Sequence, residues 1–134
     1  MVRFYLASAE VHLDAGRPAR ALEQVARAEA FMARAGEDVS DVPEAALVRG
    51  QILFQSGCFD EAEAALLRSA ALWERRQSPW ELLRVATLLG RLALATGKGT
   101  VEAHDRLAHI YADFDEGFET ERLQEARRVM DLLS

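Results

Sequence analysis

Apolar residues recur at helical intervals along almost the whole chain, and the pattern breaks only at glycine, proline and short polar clusters. The last segment shows the rule. Leu123, Ala126, Met130 and Leu133 fall at steps of three and four residues, which places them on one helical face, with Glu125 and Arg128 on the solvent side. Reading each break as a helix end predicts seven helices. The first runs from about Val2 to Ala15 and stops at Gly16, and the second from about Pro18 to Ala35, before Gly36. The third runs from Pro43 to Ser56, before Gly57, and the fourth from about Phe59 to Arg76. The fifth opens at Pro79 and ends before Gly97, the sixth covers about Val101 to Ala112, and the seventh about Glu121 to Leu133. Pro18, Pro43 and Pro79 stand at helix starts, where a missing N–H costs little. The segment "EDVSDVPE" reads as a polar connection, and "GKGT" as a turn.

The breaks are periodic. Gly16, Gly57 and Gly97 each follow one helix and precede another, at spacings of 41 and 40 residues. Superposed on these glycines, "AEVHLDAGRPARALEQVARA", "GQILFQSGCFDEAEAALLRS" and "GRLALATGKGTVEAHDRLAH" align, the last with one extra turn residue. A small residue stands seven positions before each glycine (Ala9, Gly50, Gly90), and an alanine five or six after it (Ala21, Ala62, Ala103). Those are positions where paired helices approach closely, because a larger side chain would force them apart. Bulkier residues surround them: Leu13, Phe54 and Leu94, then Val25, Leu66 and Leu107.

The small residue in a first helix, the turn glycine, the aromatic two residues later (Phe59) and the alanine in the second helix resemble the tetratricopeptide repeat. The period here is longer than that family's usual length of about 34 residues. The resemblance implies an all-α, right-handed α-solenoid. Three antiparallel helix pairs (about 2–36, 43–77 and 79–113) would form one domain spanning 1–134, closed by a capping helix at about 120–133. A second resemblance lies in "RLAHIYADFDEGFETERLQEARRVMDLL", carried by Tyr111, Phe114, Glu116, Gly117, Phe118, Thr120, Leu123, Ala126, Leu132 and Leu133. It is similar to the end of bacterial signalling proteins that join a class III nucleotide cyclase or other effector to an AAA-type ATPase and a tetratricopeptide tail. The implied role is a regulatory or interaction arm.

Composition narrows the function classes. Alanine, leucine, glutamate and arginine dominate, which favours helix. The net charge of −6 argues against a nucleic-acid partner, which needs a basic face. No apolar run reaches the roughly 20 residues needed to span a membrane. The single cysteine, Cys58, cannot form an internal disulfide, and a cytoplasmic setting is expected.

Five carboxylates (Asp113, Asp115, Glu116, Glu119, Glu121) crowd around Gly117. Counted from Asp113, an EF-hand loop would need an oxygen ligand at Gly117 and a glutamate at Gln124, so the ligand pattern fails. The stretch reads instead as a turn: Gly117 takes positive φ, Thr120 caps the last helix, and Phe114 and Phe118 pack beneath it. His104 and His109 are five apart and point in different directions, so no metal site is expected. His12 reads as a core or boundary residue. Cys58 stands beside Asp60 and Glu61, which oppose a thiolate, and reads as a small turn residue. "ATGKGT" lacks the spacing of a phosphate loop. Trp73, Trp80 and Phe31 are expected to fill seams between repeats. With no nucleophile and base at usable spacing and no nucleotide loop, neither catalysis nor a cofactor is expected.

Binding is therefore expected on a concave face made by the first helix of each pair. The alignment assigns Arg3, Leu6, Glu10 and Leu13, then Glu44, Leu47, Gln51 and Phe54, then Arg84, Thr87, Arg91 and Leu94 to that face. Chaperone-binding tetratricopeptide proteins clamp a C-terminal carboxylate there with lysine and asparagine. Here Leu6, Glu10 and Val48 occupy three of those places, which disfavours that ligand. Arg84 and Arg91, seven apart and on one face, suit an acidic partner segment. The expected partner is a protein or peptide. Two alternatives are a small molecule held between inner helices near Leu47, Phe54 and Leu88, and self-association through Phe4, Tyr5 and Val11 of the uncapped first helix.

Overall fold

The computed structural model of the chain describes residues 2–36 and 42–134, so most of the expected polar connection, 37–41, lies outside the described residues. The described residues form seven α-helices and no strand: α1 (Val2–Asp14), α2 (Pro18–Arg34), α3 (Pro43–Gln55), α4 (Phe59–Arg75), α5 (Pro79–Thr96), α6 (Thr100–Tyr111) and α7 (Glu121–Leu133). Every expected helix is present, with its ends moved by no more than one residue.

The ends are set by backbone geometry. After α1 the N–H of Gly16 donates to the Leu13 carbonyl, and that of Arg17 to the His12 carbonyl. This paired closure needs a left-handed residue, and Gly16 takes φ of +74°. The closures after α3 and α4 repeat it, through Gly57 and Cys58 and through Gln77 and Ser78. Gln77 thus fills a glycine position: it is the one non-glycine residue with positive φ among those described, at +53°.

The chain divides into two compact units, Met1–Leu72 and Trp73–Ser134. In the first, α1 packs on both α2 and α3, and α2 also touches α3. Leu6, Ala9 and Leu13 of α1 bury against Ala21, Val25 and Ala28 of α2 and Ala45, Val48 and Ile52 of α3. The side-chain amide of Gln55, at the end of α3, donates to the Leu13 carbonyl at 3.1 Å. That carbonyl also accepts from the Gly16 N–H, and the second bond sets the C-terminal ends of α1 and α3 side by side. α4 runs back along α3: a Cβ on Gly50 would lie 2.7 Å from Leu66 Cδ2, and the Ser69 hydroxyl donates to the Pro43 carbonyl at 2.9 Å. Ser69 is fully buried, and this bond pairs its hydroxyl within the core.

The second unit repeats the arrangement. α5 packs on α6 and α7, which also touch each other, around Leu83, Ala86, Leu107, Leu123, Ala126 and Val129. Gly90 refines the expectation for small residues. A Cβ there would meet Val129 Cγ1 of α7 at 2.6 Å, whereas Leu107 of α6 is 3.9 Å away. The third small residue therefore makes room chiefly for the last helix. Val129 is buried with Leu123, Ala126 and Met130 of the expected stripe on α7, while Leu133 is half-buried.

Candidate functional site

The residues expected on a binding face fall in both units: Arg3, Glu10, Glu44, Leu47, Gln51 and Phe54 in the first, Arg84, Thr87 and Arg91 in the second. Four of the face positions are closed. Leu6, Leu13, Leu47 and Thr87 are all buried, Leu47 to 2% exposure, and the Thr87 hydroxyl donates to the carbonyl of Leu83 one turn earlier. The reading of Leu47 and Thr87 as surface residues is corrected. In α3 and α5 apolar positions are buried on more than one side of the helix, so a residue at a presumed surface register is enclosed by packing. Leu47 likewise offers no open wall for a small molecule, while Phe54 and Leu88 are half-buried.

Arg3 is exposed, and Glu10, Glu44, Gln51, Phe54 and Arg84 are partly open. The Phe54 ring meets Phe59 edge to face at a centroid distance of 5.8 Å, which joins the end of α3 to the start of α4. Gln51 Oε1 is enclosed and accepts no hydrogen bond among the described residues. Arg49, near the middle of α3, pairs with Glu29 of α2.

Arg91 is exposed but engaged. Its Nε donates to Glu125 Oε1 at 2.9 Å, and Arg128 donates to Glu125 Oε2 at 2.6 Å. Glu125 thus bridges α5 to the outer side of α7. The hydrogen bond from Arg128, reinforced by Arg91, holds its carboxyl below the usual carboxylate range against the opposing effect of partial burial. The expectation that Arg91 anchors an acidic partner has a competitor inside the chain. A spacing of 34 residues between Arg91 and Glu125 leaves no local signal of that pairing.

A second side-chain group lies where α5 begins and α7 begins. The Arg122 guanidinium sits 5.1 Å from the Trp80 ring centre and donates to the Trp80 carbonyl at 3.3 Å and to Glu81 Oε1 at 3.2 Å. Trp80 also meets Phe114 edge to face at 5.9 Å, and Tyr111 tilts against Phe118 at 5.7 Å. These contacts hold the acidic turn. Gly117 has φ of +79°, as the turn reading requires. Thr120 takes the extended N-cap backbone, but its hydroxyl donates to the Gly117 carbonyl at 2.7 Å instead of capping the helix. Phe118 stays exposed, as do Trp80 and Phe31, so of the three aromatics expected to seal seams only Trp73 is buried. Its indole N–H is enclosed without an acceptor among the described residues.

Among the described residues no three His, Cys, Asp or Glu side chains gather as a metal would require. No described helix is long and apolar enough to cross a membrane. Comparison with known protein families, with curated proteins and with solved structures finds no match for this chain.

Proposed function

We propose that this chain is a non-catalytic protein-interaction module, a right-handed tetratricopeptide-like stack of three helix pairs with α7 as its cap, and that it binds a protein segment along its first helices. The observation that carries the reading is a contrast between adjacent positions. Seven residues before each turn glycine the side chain is small and buried: Ala9, Gly50, Gly90. Six residues before it the side chain is polar and at least partly open, and its chemistry changes from repeat to repeat: Glu10, Gln51, Arg91. Packing fixes the first position. The second varies in charge on a constant scaffold, which is how a repeat protein acquires selectivity for a partner. Half-open Phe54 supplies an aromatic contact near partly open Gln51. A preformed surface binds without ordering each contact separately. The likeness of the final segment to the tails of bacterial signalling ATPases supports a regulatory arm as the setting, within the cytoplasm.

Selection from a random displayed peptide library on the intact protein tests this. The expected result is an enriched motif whose affinity, read by fluorescence anisotropy, falls about tenfold or more in Phe54→Ala or Gln51→Ala. Unchanged helix content in those variants confines the effect to the surface. Failure to enrich any motif, or an affinity indifferent to both substitutions, defeats the reading.

A further inference from the structure

The outward face of α1 is apolar where the chain elsewhere covers the same positions. Phe4 and Val11 are 65% and 66% exposed. Both point almost directly away from Leu6, Ala9 and Leu13, since at about 3.6 residues per turn they fall on the opposite side of the helix. Counted from the turn glycines, Phe4 corresponds to Ala45 and Val85, and Val11 to Ile52 and Leu92. All four counterparts are buried. For α3 the cover is visible: Ala45 and Ile52 lie in the core formed with α1 and α2. A position that is closed by helices in two repeats is left open in the first. The Phe4 ring is also held in place, edge to face with Tyr5 at 5.7 Å, and Tyr5 packs against that core.

We infer that this face is covered by a second copy of the chain, through two antiparallel α1 helices related by a two-fold axis. Two features select that occupant. Docking α7 of one copy on α1 of another would press Glu121, Gln124, Arg127, Arg128 and Asp131, which surround the single exposed apolar residue Leu132 on the open side of α7, against an apolar stripe that rejects charge. Head-to-head docking is self-complementary. With the axis between Ala7 and Ser8, Phe4 of one copy meets Val11 of the other, and these two small residues, which flank the stripe, let the helices cross closely. Arg3 and Asp14, both exposed, lie on the same flank of α1. In this register each Arg3 falls about 3 Å along the axis from the other copy's Asp14, within an arginine's reach. A single crossing of two 13-residue helices buries less than the roughly 800 Å² per partner of a standard interface, so the dimer is weak, dissociating at about 10–100 μM.

This inference uses the repeat equivalence and is independent of peptide binding at Gln51 and Phe54. Sedimentation equilibrium on the intact protein, from about 1 μM to about 1 mM, spans the range in which such a dimer forms. Expected are a monomer–dimer equilibrium for the natural sequence and a monomer throughout for Phe4→Glu with Val11→Glu, at unchanged helix content by circular dichroism. Arg3→Glu alone weakens the dimer, and Arg3→Glu combined with Asp14→Arg restores it. A strict monomer, or a dimer unaffected by the paired glutamates, overturns the inference. Failure of the charge exchange to restore association overturns the antiparallel register.

Discussion

Two groups of three helices, α1–α2–α3 and α5–α6–α7, show the same mutual packing and hold it by different means. In the first, the described ties include the Gln55 amide on the Leu13 carbonyl and an ion pair between Arg49 and Glu29. In the second, α7 is clamped to α5 by charge: Arg91 and Arg128 on Glu125, and Arg122 on Glu81 and the Trp80 ring. The outer faces differ as well. α1 leaves Phe4 and Val11 open, while α5 buries Val85 and Leu92 at the corresponding places. A common pattern of small and apolar residues therefore sets helix pairing, and the charged residues decide how a terminal helix is held. The charged ties of the second group should make its stability respond to pH and salt.

The comparison is broken most directly at a core position. Leu107→Ala removes a fully buried side chain and should destabilise the second unit by about 2–5 kcal/mol, read from urea unfolding. A transition that shifts by less than about 0.5 kcal/mol would mean that α6 does not hold this core. Next in size is Gly90→Ala. Helix propensity favours alanine by about 1 kcal/mol, but the new Cβ collides with the stiff Val129 side chain, and overpacking of that kind costs about 1–3 kcal/mol. The expected net effect is destabilisation in the natural background and stabilisation when Val129→Ala is already present. A thermodynamic cycle without that change of sign would separate Gly90 from α7.

A smaller effect of opposite sign is expected at Gln77. Its left-handed backbone costs a residue with a Cβ about 1–2 kcal/mol, part of which glycine recovers, so Gln77→Gly should raise stability by about 0.5–1 kcal/mol. Unchanged or lowered stability in the same urea titration would show that Gln77 is held by contacts stronger than its strain. The smallest effect sharpens the charge comparison. Glu125→Gln should cost less than about 1 kcal/mol near neutral pH, as expected for solvent-facing ion pairs. The Glu125 pKa is lowered in the folded state, so its contribution is present above the ordinary carboxylate value of 4.5 and is lost as pH falls through the folded value. The stability gap between the natural protein and the Gln variant should accordingly be flat above about pH 5.5 and narrow below pH 4.5. A gap that persists in acid, or that ignores added salt, would assign it to packing rather than charge.

Much of this architecture was legible in the residue order. Gly16, Gly36, Gly57 and Gly97 marked helix ends because a left-handed closure is cheap only for glycine, and Pro18, Pro43 and Pro79 marked starts because of their fixed φ. Ala9, Gly50 and Gly90 were recognisable as points of close approach from their size and repeat position alone. The candidate surface was less legible. Leu47 and Thr87 looked open because the register of a single helix says which side faces its partner, not how many sides are enclosed. Arg91 looked unengaged because its partner arrives from a helix more than thirty residues later.

What the sequence determined by itself is the set of helices, their ends and the places where they approach, since these follow from φ preferences and side-chain volume within one or two turns. Only the tertiary structure decided that Gly90 receives Val129 and that Glu125 draws Arg91 to α7. Those outcomes depend on which distant helix occupies a face, and no local spacing of residues carries that information.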